Sequence, residues 1–282
     1  MYFFSELSNS LLNSAIFTII VVGPIFAPLL LLGLLMHFIS GSVRKNAWLL
    51  LGGRAYLFIF GWLGTLVHES GHAIMCIVFR HRITEIKFFS LDPANKTLGY
   101  VKHSWNPKNL FQVTGNFFIG AGPLILGAFV IYGVFYLLLP QLKLSALNIT
   151  IPKTRDFASV NALLFWTRET ASCLYEFLRQ LFLSVDIQNW QPWLTAYILF
   201  SVGSAMKLSR ADIKGSGPGF LLFIIFIFLL SGVLMYLGLG REFAMYLSGT
   251  SGFFFAVMLI CVFLNFLILL QLMVLRKIIP WK

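Results

Sequence analysis

Apolar runs separated by short polar breaks dominate this chain, and most of them approach or exceed the roughly twenty residues that a helix needs to cross a bilayer. Six spanning helices are predicted, over 14–39, 54–79, 117–139, 193–208, 220–239 and 253–275. Residues 41–46 read as the polar exit of the first and 47–53 as a lead-in to the second, which Arg80, His81 and Arg82 stop at the interface. The fourth is short and interrupted by polar residues. Gly215, Ser216, Gly217, Pro218 and Gly219 then read as a break before the fifth.

Two stretches depart from this pattern. Between 83 and 105 the period falls to two: Ile83, Glu85 and Lys87 alternate with Thr84, Ile86 and Phe88, while Asp92, Pro93, Ala94, Asn95 and Lys96 supply turn chemistry, so a β-hairpin is expected. Over 158–185, Leu164, Leu174, Leu178, Leu181 and Phe182 lie opposite Arg168, Ser172, Glu176 and Arg179, the stripe of a helix lying in the membrane interface. The expected fold is an all-α polytopic membrane protein with a short hairpin after the second span. Its parts are an accessory first span and linker (1–53), a core (54–218) and two carboxy-terminal spans (219–282).

Composition sharpens the picture. With 59% hydrophobic and 11% charged residues and a mean hydropathy of +0.86, neither a water-soluble globule nor a disordered chain is compatible with the sequence. The net charge of +11 comes without a basic, aromatic-interleaved groove, so it bears on membrane orientation and not on nucleic acid. Twelve of the 21 Lys and Arg fall on the face that six alternating spans give to the amino terminus, the hairpin, the 207–218 turn and the carboxy terminus, which places that face in the cytoplasm. Residues 1–13 carry no Lys or Arg and precede an apolar run too long for a signal peptide, so no cleavable leader is expected. Cys76, Cys173 and Cys261 form no disulfide framework or metal motif and read as buried thiols. Asn148-Ile149-Thr150 matches a glycosylation sequon.

The chemistry concentrates in the second span, where His68-Glu69-Ser70-Gly71-His72 is an HExxH motif. Imidazoles four residues apart share one helical face, and the Glu beside the first reaches a metal-bound water. The alternative is a satisfied pair of interior histidines, but three ionisable groups within one spanning helix favour a functional role. A catalytic zinc takes three protein ligands and a water, so a third ligand is required. Among ten carboxylates the charge-derived topology leaves Glu6, Glu85, Asp92 and Asp212 on the correct face. Glu85 and Asp92 belong to the hairpin and read as surface residues. Asp212 closes a span parallel to the HExxH helix, in which His72 lies about 12 Å from the helix end. Ser209-Arg210-Ala211-Asp212 also fits a capping box, and Asp212 can equally pair with Arg210 or Lys214.

These features resemble the site-2 protease family of intramembrane zinc metalloproteases. The resemblance rests on the HExxH span, the hairpin after it, Gly120-Ala121-Gly122-Pro123-Leu124 in the third span and the Asp near the end of the fourth, over roughly residues 54–218. Ala211-Asp212-Ile213 departs from the family's Leu-Asp-Gly pattern, which marks a divergent branch. The resemblance implies one Zn2+ held by His68, His72 and Asp212, with Glu69 as general base on the zinc-bound water. It also implies a membrane-protein substrate added as a strand to the hairpin, and Asn116 as a candidate oxyanion donor. A membrane metal-binding or transport protein, or a pseudoprotease that binds membrane helices, is the competing expectation. Cys76 reads as a packing residue, and His81 and His103 as solvated interfacial histidines.

Overall fold

The computed structural model describes residues 23–90, 98–142 and 160–278, and its elements are almost all helical. Helix α1 (Gly23–Leu51) runs through the expected polar exit at 41–46 and stops only at Gly52, whose φ of 76° lies in the left-handed region that glycine tolerates without penalty. Ser40, Val43, Asn46 and Ala47 are buried against neighbouring helices, which is why the polar stretch does not end the helix. The next helical run begins as one α-turn, Gly53–Tyr56, passes through a π-helical stretch, Leu57–Gly61, and becomes α2 (Trp62–Val78). Strands β1 (Arg82–Lys87) and β2 (Tyr100–Ser104) pair antiparallel as expected, with a register irregularity between Ile83 and Glu85. The predicted turn at 92–96, the sequon, the amino-terminal residues 1–22 and Glu6 lie outside the described residues.

Helices α3 (Leu110–Leu138), α4 (Val160–Ser184), α5 (Gln191–Ala205), α6 (Arg210–Tyr236) and α7 (Gly240–Ile278) complete the chain. The amphipathic reading of 158–185 agrees in part with α4: Leu178 and Leu181 pack on the core beside the buried Phe177, and Glu176 and Arg179 pair on the outer side at 2.8 Å, but Phe182, expected on the apolar face, is exposed. Three described helices are long and apolar enough to cross a membrane: Leu110–Leu138, Ala211–Tyr236 and Phe254–Ile278. The expected six do not emerge as such, because α2 has 17 residues and α5 only 15.

The larger correction concerns direction. Tyr197 hydrogen-bonds the carbonyl of Ile59, and Ala205 sits beside His68, so α5 runs parallel to α2. Asp212 and Ser216 pack on Gly120, and Gly219 on Val113 and Phe117, so α6 runs antiparallel to α3 and in the same sense as α5. Residues 206–209 are therefore a break between two helices that continue one way, not a turn between opposed spans. The Gly-Pro stretch 215–219 lies inside α6, because Ser209 has already nucleated the helix through its cap. A core boundary at 218/219 falls within that helix. Helices α1 and α7 also run in one sense, with Met36 clustered with Ala256–Cys261 residues and Arg276 donating to the Asn46 side chain at 2.9 Å. Arg276 thus lies beside Asn46, which six alternating spans put on the face opposite to the carboxy terminus, so the charge count no longer places the hairpin face in the cytoplasm.

Close backbone approach holds α2 to α3. A Cβ on Gly71 would lie 2.6 Å from the Gly122 carbonyl carbon, and one on Gly122 would lie 2.7 Å from the Gly71 carbonyl carbon. In lipid, where apolar contact between helices gains little over contact with acyl chains, such small residues let dispersion and polar contacts do the holding. Gly122→Ala is expected to force the two backbones apart and lower stability by roughly 1–3 kcal/mol, the range for overpacking a tight contact. Thermal unfolding of the detergent-solubilised variant measures this.

Candidate metal centre

The two imidazoles of the HExxH motif are oriented by backbone carbonyls from other helices. His68 Nδ1 donates to the Ala205 carbonyl at 2.7 Å, and His72 Nδ1 donates to the Ile119 carbonyl at 2.8 Å. Neither carbonyl has a helical partner. Ala205 is the last residue of α5, and its carbonyl accepts from the Lys207 N–H of the following break at 2.8 Å as well as from His68. Ile119 stands four residues before Pro123, which lies inside α3 and has no N–H to offer it. Donation from Nδ1 fixes the tautomer and leaves each Nε2 lone pair free.

Asp212 meets them from the first turn of α6, not from the end of the preceding helix. Its Oδ2 accepts from the Ser209 N–H at 2.6 Å, while Ser209 Oγ accepts from the Asp212 N–H at 3.1 Å, so the capping box is present. Its Oδ1 lies 3.6 Å from His72 Nε2. Cap and candidate ligand, weighed as alternatives from the sequence, are two oxygens of one carboxylate. Ligand atoms of His68, His72 and Asp212 all fall within 4.8 Å of one another. Tetrahedral zinc with bonds of about 2.1 Å separates its ligand atoms by about 3.4 Å, so modest side-chain adjustment makes this donor set fit.

Glu69 is buried, with no hydrogen-bond partner among the described residues. Gly99 covers it: a Cβ there would lie 2.7 Å from Glu69 Cγ and 2.8 Å from the carbonyl oxygens of Lys87 and Phe88. The hairpin entrance therefore folds across the carboxylate. A cavity of about 360 Å³ reaches His68, Glu69, His72 and Asp212, with Tyr100, Val101 and His103 of β2 and Asn116 on its other walls. Glu85 is outside it, exposed and bonded to Lys102 at 2.7 Å and to the Tyr100 hydroxyl, as its surface reading requires. Those two bonds hold its carboxyl below the usual carboxylate range. No known family, curated protein or solved structure matches this chain.

Cys76 is a buried thiol, as expected, and so is Cys261. Of the two histidines beside the hairpin, His103 is partly exposed and lines the cavity, whereas His81 is not solvated. His81 is buried, its Nε2 donating to the Gln112 carbonyl at 2.8 Å and its Nδ1 lying 3.0 Å from His103 Nδ1, with Trp105 stacked on its ring. Sequence gave no signal of this pairing, since 22 residues separate the two rings. The freed carbonyl at Ile119 had a signal, the proline four residues on.

Two outcomes follow. Pro123→Ala restores an N–H that competes for the Ile119 carbonyl, and metal affinity, read by competition with a chelator, is expected to fall on the order of tenfold. Burial, the His81 ring and His72 push the His103 pKa down to about 4 from 6.5. The folded chain thus refuses a proton that the unfolded chain accepts between those values. The stability His103 permits is complete above about pH 6.5 and lost as pH falls toward 4. Thermal unfolding from pH 7 to 4 is expected to show a slope that His103→Gln flattens.

Proposed function

We propose that this protein is a multi-pass membrane zinc endopeptidase, a divergent relative of the site-2 proteases, cutting a peptide bond of another membrane protein. The reading is carried by the convergence of two Nε2 lone pairs and one carboxylate oxygen, each side chain held by bonds to its other polar atom. Two imidazoles and a carboxylate are a donor set of hydrolytic zinc sites, which keep one position open. A zinc ion held by His68, His72 and Asp212 supplies Lewis acidity toward a peptide carbonyl and acidifies water.

Glu69 takes a proton from the attacking water as its oxygen bonds to the carbonyl carbon, then delivers that proton to the amide nitrogen as the C–N bond breaks. Burial without a hydrogen-bond partner suits it to hold the proton between the two steps. Among the described residues β2 pairs only with β1, so its other edge offers unpaired backbone groups beside the cavity. A substrate strand bound there is extended, which presents the peptide bonds that a helix hides. Three long apolar helices around a polar centre support a substrate delivered from the bilayer.

Elemental analysis of the purified protein is expected to give about one zinc per chain, and none in His72→Ala or Asp212→Ala. Glu69→Gln is expected to keep the metal while losing on the order of 10²–10⁴ in cleavage rate. A wild-type protein that takes up no zinc when zinc is supplied overturns the proposal. A protein that holds zinc but shows no cleavage that Glu69→Gln removes is left with a metal-binding or transport role.

A further inference from the structure

On the far side of His68 and Glu69 lies a second cavity, of about 280 Å³, whose wall shares His68, Glu69, Gly99 and Ser209 with the first. The polar groups that are its own are four hydroxyls and two cations, and the Tyr56 hydroxyl is hydrogen-bonded to Ser204. The hydroxyl protons are already committed: Thr65 donates to the Gly61 carbonyl at 2.7 Å, Ser201 to the Phe60 carbonyl at 2.5 Å and Ser204 to the Ser201 carbonyl at 3.1 Å. The cations are Arg44 of α1 and Lys207 of the 206–209 break. Neither side chain has a hydrogen bond or ion pair with a described residue, Arg44 being exposed and Lys207 half-buried, and their charges repel each other. Glu69 and Asp212 are the nearest carboxylates, and both belong to the metal centre.

Two like charges lining one cavity, neither in an ion pair among the described residues, is an arrangement that a bound anion relieves. We infer that Arg44 and Lys207 form a subsite for a carboxylate of the substrate, either an acidic side chain or a free carboxy terminus close to the scissile bond. The anion is assigned to the substrate and not to a lipid because the two cavities adjoin, with His68, Glu69, Gly99 and Ser209 in the wall of each, so the cations line the cavity next to the metal centre. This deepens the protease reading and rests on it.

Two zinc-binding probes separate the inference from its foundation: acetohydroxamate, and a pair of peptidyl hydroxamates differing only in a terminal carboxylate or carboxamide. Acetohydroxamate is expected to bind the zinc-loaded protein and both variants, Arg44→Gln and Lys207→Gln, equally, which also shows that the variants fold. The carboxylate probe is expected to bind wild type on the order of tenfold more tightly than its amide, the difference vanishing in each variant. Equal binding of the two peptidyl probes to wild type overturns the inference while leaving the metal site intact. A difference that persists in both variants overturns it too. So does competition by phosphatidylglycerol in the micelle that phosphatidylcholine does not match, which assigns the cations to a lipid phosphate. Failure of acetohydroxamate itself marks failure of the metal reading.

Discussion

Two backbone carbonyls left without helical partners set the geometry of the candidate metal centre. A proline inside α3 releases the carbonyl of Ile119, and the end of α5 releases that of Ala205, so each imidazole of the HExxH motif finds an acceptor for its Nδ1 proton. An unpaired carbonyl in an apolar bundle costs several kcal/mol, and an unpaired imidazole N–H is also unfavourable there. Bringing them together satisfies both at Ile119, while at Ala205 the His68 N–H shares the carbonyl with the Lys207 N–H. It also couples the tautomer and angle of each ring to the position of a different helix, so the site reports directly on how α2, α3 and α5 are packed.

That coupling requires backbones closer than ordinary side chains allow. Gly71 against Gly122 supplies the approach on the α3 side, and Gly64, whose N–H donates to Ser201 Oγ at 3.1 Å, supplies it on the α5 side. The π-helical stretch before α2 adds to the second contact. Its carbonyls at Ile59 and Phe60 accept from the Tyr197 and Ser201 hydroxyls, which explains polar residues in an otherwise apolar α5. Hydroxyls that look like interruptions of a span are the bonds that hold two helices in register.

The break at 206–209 turns a capping problem into a binding group. A helix restarting inside the bundle needs an acceptor for its first amides, and Ser209 and Asp212 satisfy each other's backbone N–H groups. This bond leaves one Asp212 oxygen with a fixed direction, toward His72. The His37 Nδ1 donates to the Leu208 carbonyl at 2.6 Å, so α1 anchors the break and is part of the site's support, not an accessory span. On the opposite side the His81 and His103 rings and Gly99 fix the hairpin over Glu69.

The sequence by itself determined whatever depends on local periodicity. Apolar runs gave the helices, alternation over 83–105 gave the strands, the stripe over 158–185 gave the amphipathic helix, and the four-residue spacing gave His68 and His72 one face. Helix direction after residue 205 was beyond it, because the four residues Met206, Lys207, Leu208 and Ser209 read equally as a turn or as a break, and only packing against α3 selects the latter. For the same reason Asp212 read as cap or ligand, when one carboxylate has two oxygens and the fold uses each differently. The acceptors of the histidine protons, the His81–His103 pair and the cavity between Arg44 and Lys207 belong to the tertiary structure alone. Each joins residues distant along the chain through contacts that leave no period in the sequence.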